Sequence, residues 1–238
     1  DDCPSAKHFA TETRDVPYVE GIFVGYRYYL TSGTKVRYPF GYGLSYTSFE
    51  YSDLKISPSG VRFKIKNTGE LAGAEIAELY ISLPKSKIFR AIRELKGFSK
   101  VFLNPGESKE VNIPFDDKSF RFFDINKNDF ELEKGTYTIM IGKSSEDIVL
   151  SGEIEINGET PSSIYSEKFL PSYFSGKIAN VSRHEFENLL MRSIPESGRK
   201  FYKKNRQHVD IDTTVKELRY APGFVGRAFS RAVKLTIW

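Results

Sequence analysis

Pro39-Phe40-Gly41-Tyr42-Gly43-Leu44-Ser45-Tyr46-Thr47-Ser48-Phe49 sets two glycines among four aromatic rings. Neither a plain helix nor a plain strand carries that pattern. Glycine admits backbone angles and close approaches that a side chain blocks, and rings around it bury enough apolar surface to lock a junction. The run reads as a joint between folded units, with a different periodicity on each side.

Downstream, short apolar-alternating runs are separated by turn residues, as a two-sheet sandwich requires. Phe49, Tyr51, Leu54 and Ile56 define the first strand, and the slip in alternation at Ser52-Asp53 predicts a bulge. Val61, Phe63 and Ile65 alternate cleanly up to Asn67-Thr68-Gly69. A third strand runs from Ala74 to Ser82, with Ala77, Leu79 and Ile81 on one face and Glu75 interrupting it near the start. The fourth, Leu95 to Leu103, closes on Asn104-Pro105-Gly106-Glu107, where proline followed by glycine predicts a type II turn. Val111, Ile113 and Phe115 alternate next. After a stretch from Asp116 to Asp129 read as irregular, Tyr137, Ile139 and Ile141 alternate again, and Ile148 to Ile156 supplies the last of about seven strands.

Upstream, residues 1–15 are polar and read as a loop. Ile22-Phe23-Val24-Gly25-Tyr26-Arg27-Tyr28-Tyr29 is too apolar for a surface loop, and its periodicity leaves helix and buried strand both open. Beyond the last strand, Asn157 to Ser163 is a linker by composition. Ser182 with Glu185 predicts a capping box ahead of Phe186, Leu189, Leu190 and Met191, and Thr214 with Glu217 repeats it for a helix reaching about Tyr220. Lys200 to Gln207 is charged and expected at the surface. After Pro222-Gly223, Phe224, Ala228, Ala232 and Leu235 share one helical face, and Arg227, Arg231 and Lys234 share another.

Taken with Tyr18-Val19-Glu20-Gly21-Ile22-Phe23-Val24-Gly25-Tyr26-Arg27-Tyr28-Tyr29, the glycine-aromatic run resembles the end of the α/β sandwich domain of family 3 glycoside hydrolases, the β-glucosidases and relatives. There that domain passes into a fibronectin type III-like domain. Val61 to Gly69, Glu78-Leu79-Tyr80-Ile81, Arg93 to Phe98, Leu103 to Glu107 and Gly135-Thr136-Tyr137 resemble successive strands and turns of that second domain. The resemblance spans about Tyr18 to Ile156, and the remainder is similar to a C-terminal extension of some bacterial members. It implies a mainly β chain: residues 1–46 are the end of the α/β sandwich domain and the junction, an irregular N-terminal segment. Residues 47–157 are the fibronectin type III-like (immunoglobulin-like) β-sandwich, and 158–238 a linker and basic helical C-terminal extension.

The resemblance also says where the chemistry belongs. Retaining glycoside hydrolysis needs a nucleophilic carboxylate and an acid/base carboxyl roughly 5–5.5 Å apart. In the family the nucleophile is an aspartate on a (β/α)8 barrel and the acid/base usually comes from the α/β sandwich domain; no position of this chain matches either motif. The expectation is a segment without catalytic carboxylates, inactive when isolated, that supports the catalytic domains. Its partners would be the barrel and the α/β sandwich domain, with β-linked gluco-oligosaccharides as candidate ligands. Residues 1–46 cannot complete an α/β domain, so their aromatic face is exposed unless it folds back on the sandwich or meets a partner chain. Because sugar C–H faces stack on rings and this region borders the family's active-site mouth, Tyr18, Tyr26, Tyr28 and Tyr29 are candidate substrate-rim residues; packing and domain docking rank above that role. A free-standing carbohydrate-binding or adhesion module is the alternative, since such sandwiches serve widely as binding scaffolds.

The bulk numbers bound the rest. With 238 residues, 39% hydrophobic and 14% aromatic, the chain buries a sizeable core in one or two domains. Its single cysteine, Cys3, excludes an internal disulfide framework and fits a reducing compartment, which makes the cytoplasm the expected location. No signal peptide opens the sequence, though the parent chain's N-terminus is not seen, and no apolar run approaches the roughly 20 residues of a membrane span. From Gly158 onward 14 lysines and arginines face 8 acidic residues, about +6, while the preceding residues carry 21 against 23. The tail alone is basic. A solvated charged face ranks above contact with a membrane surface, and nucleic acid is not an expected partner.

Other constellations carry no chemistry. His8, His184 and His208 lack metal-ligand spacing, so no metal or cofactor is expected. Ser45 lacks the second glycine of a nucleophile elbow, and neither Gly21 with Gly25 nor Gly41 with Gly43 forms a phosphate-binding loop backed by lysine. Asp116-Asp117 and Asp210/Asp212 read as caps and solvated surface, Asn180-Val181-Ser182 matters as a glycosylation acceptor only in a secreted protein, and Trp238 reads as an anchor for the last helix.

Overall fold

A computed structural model describes residues 3–6, 16–161, 165–194, 217–221 and 224–236. Its centre is a β-sandwich. Strands β1 (Phe49–Ser57), β2 (Gly60–Asn67) and β5 (Ser108–Pro114) form one antiparallel sheet in the order β1-β2-β5. The facing sheet has the order β4-β3-β8-β9, from β3 (Gly73–Ser82), β4 (Glu94–Leu103), β8 (Gly135–Gly142) and β9 (Ile148–Ile156). Period-two alternation puts Val61, Phe63 and Ile65 of β2 opposite Ala77, Leu79 and Ile81 of β3 and Tyr137, Ile139 and Ile141 of β8, all buried in one core.

The bulge expected in β1 is present: the register shifts between Ser52 and Lys55, and Asp53 sits at φ 57. Gly106, at φ 76, occupies the left-handed position of the predicted Pro-Gly turn, and Glu107 N donates to Asn104 O at 3.0 Å. The strand count differs from expectation. The supposedly irregular stretch contains a hairpin of β6 (Arg121–Asp124) and β7 (Asp129–Leu132), making nine strands among the described residues. Phe123 and Phe130 pair edge-to-face across it at 5.3 Å while remaining exposed. A hairpin held by one ring pair rather than a buried face leaves no clean alternation to read.

Ile22–Tyr29 resolves as a turn that buries Phe23 and leaves Ile22 and Val24 exposed, leading into helix α1 (Tyr26–Ser32). Phe23, Val19 and Tyr28 join Leu170, Tyr173, Ile178, Val181 and Phe186 in a second core. These partners come from α2 (Pro171–Ser175), a following 3-10 turn and α3 (Arg183–Leu190). The Tyr173 hydroxyl donates to Val19 O at 2.6 Å across 154 residues of sequence. The N-terminal face is therefore covered by the far end of the same chain. Ser182 caps α3 by accepting from Glu185 N at 3.1 Å, but the Glu185 carboxylate does not close the predicted capping box. It turns instead to Ser172 N and Oγ, at 2.7 and 2.8 Å, and ties α2 to α3.

Phe89 carries the loop between β3 and β4 onto the second core. Its ring meets Phe23, Tyr165, Tyr173 and Phe174 at centroid separations of 5.5 to 6.3 Å. The loop is held by Glu133, 1% exposed, which accepts from Ser86 Oγ, Lys87 N and Arg90 at 2.6 to 3.2 Å. Near the C-terminus, Thr214 lies outside the described residues, a 3-10 turn covers Glu217–Tyr220, and α4 (Val225–Thr236) follows. Glu133→Ala strands the Arg90 guanidinium without its counter-charge, and urea unfolding should show a loss of about 3–5 kcal/mol.

Candidate functional site

The glycine-aromatic run contains no regular element before Phe49, which opens β1; it lies along the outer face of the four-stranded sheet. Tyr42 N donates to Pro39 O at 3.0 Å, which turns the chain, and Gly41 takes φ 83. A Cβ at Gly41 would collide with the Glu78 carboxylate, so only glycine lets the backbone approach it. Ser145 clips the run in place. Its N–H donates to Phe40 O at 2.8 Å, and its carbonyl accepts from Arg93 Nη1 at 3.1 Å. Phe40 stacks at 5.1 Å on Tyr26, which meets Tyr80 edge-on at 6.0 Å and accepts from Leu95 N at 2.8 Å through its hydroxyl.

Beneath these rings lies a buried acid. Glu78 is 6% exposed and accepts from Tyr80 Oη at 2.5 Å. Burial raises its pKa above the ordinary carboxylate value of 4.5, with the Tyr80 hydrogen bond pulling the other way. Glu75 is also raised, first by burial, against the hydrogen bond from Tyr51 Oη at 2.9 Å and the charge of Lys143. These two carboxyls are not a catalytic pair. Positions three apart on a strand face opposite sides of the sheet, so no glycosidic bond can lie between them.

The four rim tyrosines do not converge. Tyr18 is 75% exposed, Tyr28 is buried in the second core, and Tyr29 packs edge-on to Tyr28 at 5.1 Å. Tyr26 is engaged in the ring cluster on the sandwich. It shares with Tyr29, Val36, Tyr38, Phe40 and Glu146 a small cleft of about 170 Å³. Ser45 accepts from Thr47 N at 3.3 Å in a local turn. Asp116 caps a 3-10 turn through Lys118 N, and Asp117 pairs with Arg121. His184 is exposed, while His8, His208, Asp210, Asp212, Lys200 to Gln207 and Trp238 lie outside the described residues. Among the described residues no three His, Cys, Asp or Glu side chains cluster to hold a metal.

The rest of the run faces outward. Leu44 is 90% and Tyr46 95% exposed, beside the half-exposed Tyr38, Phe40 and Tyr42. Sequence reasoning expects the rings to lock a junction by burial; Phe49 is buried in the first core and the half-exposed Phe40 packs on Tyr26, whereas Tyr42, Leu44 and Tyr46 form an open apolar seam. Glu78 and Ser145 went unnoticed as site residues, although a lone acid within the apolar Glu78-Leu79-Tyr80-Ile81 is a readable signal.

The sheet orders β1-β2-β5 and β4-β3-β8-β9 define a fibronectin type III-like domain, and residues 75–145 match the family model of that description. About two thirds of the chain has relatives among glycosidases. It is 46% identical over 162 residues to thermostable beta-glucosidase B of Acetivibrio thermocellus, covering 65% of this chain and 22% of that protein. It is 40% identical over 163 residues to an exo-alpha-(1->6)-L-arabinopyranosidase of Bifidobacterium breve, covering 66% and 22%. The crystal structure of a Bifidobacterium adolescentis GH3 beta-glucosidase superposes with TM-score 0.63 and 34% identity, over 75% of this chain and 28% of that one. About two thirds of the chain is thus homologous to a part of GH3 beta-glucosidases that includes a fibronectin type III-like domain, and it matches about a fifth of the length of these curated relatives, 22% of each.

Glu78 gives a pH test. A folded pKa above the unfolded value means the native state holds the proton more tightly, so its contribution is lost as pH rises from about 4.5 through the folded value. Glu78→Gln removes that titration. Thermal melts from roughly pH 4 to pH 8 should show wild type falling progressively behind the variant; a flat difference would mean that ionised Glu78 costs nothing.

Proposed function

We propose that this chain is the C-terminal, fibronectin type III-like part of a family 3 glycoside hydrolase, and that it supports the catalytic domains without supplying the catalytic carboxylates. The open seam at Leu44 and Tyr46 carries this reading. It is an apolar strip whose neighbours Phe40 and Gly41 are fixed to the sandwich, so it presents a rigid edge to the barrel and the α/β sandwich domain of the parent enzyme. Burying a leucine or an aromatic side chain contributes about 1.5–3 kcal/mol. A rigid flank of this kind limits domain motion, which keeps reacting groups in geometry. The exposed, free Cys3 accords with the cytoplasmic location proposed with it.

The isolated chain should release no phenol from an aryl β-glucoside, and turnover abolished by a substitution within it would refute the supporting role. In the parent enzyme, Leu44→Asp with Tyr46→Asp should lower both melting temperature and activity. The same pair should change the stability of the isolated chain by no more than about 0.5 kcal/mol, because both side chains already face water.

A second reading, a carbohydrate-binding module, rests on Tyr18, the exposed member of the four candidate tyrosines. Titration with cello-oligosaccharides decides it: saturable binding lost in Tyr18→Ala supports this role, and no binding leaves the ring as interface.

A further inference from the structure

Helix α4 presents its apolar side to solvent. Phe224, at its start, is 76% exposed, Val225 79% and Phe229 53%. The helix rests chiefly on the single 3-10 turn Glu217–Tyr220, where Gly226 approaches Leu218 O and Ala221. Among the described residues, neither the sandwich nor the second core covers this side. The helical register places positions 225, 229 and 232 along one arc and positions 227, 231 and 234 along another, with Phe224 just ahead of the first turn. From Leu218 to Trp238 the sequence carries Arg219, Arg227, Arg231 and Lys234 and no acidic residue at all.

We infer that α4 is a surface-seeking helix that lies flat on an anionic lipid surface, its Val225–Phe229 side and the Phe224 ring that leads into it in the headgroup boundary and its cations against lipid phosphates. Twelve residues at 1.5 Å each give a rod of about 18 Å. That is too short to span a bilayer and suited to lying along one, and none of the described helices is long and apolar enough to cross. Charge selects the occupant. A second copy of the chain would bring the same uncompensated cations alongside, whereas an anionic surface neutralises them as the apolar side is buried. Sequence alone ranked solvated surface above this contact. The change comes from the exposure of Phe224, Val225 and Phe229, which a merely charged, solvated helix has no reason to display.

The test is co-sedimentation of the full chain with vesicles of phosphatidylcholine, alone or mixed with phosphatidylglycerol. Binding to the mixed vesicles should be stronger by about tenfold or more and should weaken with added salt. Phe224→Asp with Phe229→Asp should abolish it, and Arg231→Glu should reduce it, while near-ultraviolet circular dichroism shows the sandwich unchanged. Absence of binding, equal binding to both vesicles, or binding that survives the double substitution would overturn the inference. Light scattering that reveals a concentration-dependent pair dissolved by the same double substitution, without vesicle binding, would assign the side to a second copy and overturn it equally.

Discussion

The seating of Tyr26 on Tyr80, with Phe40 packed on Tyr26 above the buried Glu78, is the constraint from which the remaining architecture follows. Once Leu95 N binds Tyr26 and Ser145 clips Phe40, the segment before the sandwich has a fixed course across the four-stranded sheet. Val19, Phe23 and Tyr28 then stand beside Phe89, whose loop is itself fastened by Glu133. The far end of the chain completes that cluster with Leu170, Tyr173 and Phe186. The two cores are tied together by the Phe89 loop that Glu133 holds and by the hydrogen bonds from Leu95 N to Tyr26 and from Ile92 N to Thr31.

The sandwich was legible because its signal is local and repeated. Each of β2, β3, β5 and β8 alternates over a buried face, and Asn67-Thr68-Gly69 and Asn104-Pro105-Gly106-Glu107 mark turns by residue type. The β6–β7 hairpin was not legible, since Phe123 and Phe130 satisfy each other outside any core. The second core was illegible for another reason: Phe23 and Tyr173 are far apart in sequence, and nothing in either segment's period names the other. Ser182 shows an intermediate case. Its cap was readable from the Ser-to-Glu spacing, but the destination of the Glu185 carboxylate depended on where α2 comes to lie.

For the site, residue type was the better guide and geometry the corrective. Glycine at position 41 was read as permitting close approach, and the approach turns out to be to an acid. The four tyrosines looked alike in sequence and are divided by the fold among a solvent-facing position, a docking pin and the second core. Comparison with enzymes acting on different sugars fits this division. A beta-glucosidase and an arabinopyranosidase share similar fractions of the chain, as expected if this segment sets architecture and the selection of sugar resides elsewhere.

The bond from Tyr173 to Val19 has a consequence for the order of events during synthesis. At roughly 5–20 residues per second, the ribosome delivers the tyrosine on the order of ten to thirty seconds after the valine it must reach. Throughout that interval Phe23 and Tyr28 are without their lid, while the intervening strands have time to pair. The nascent chain must therefore keep this hydrophobic segment from straying until Tyr173 and its neighbours have emerged.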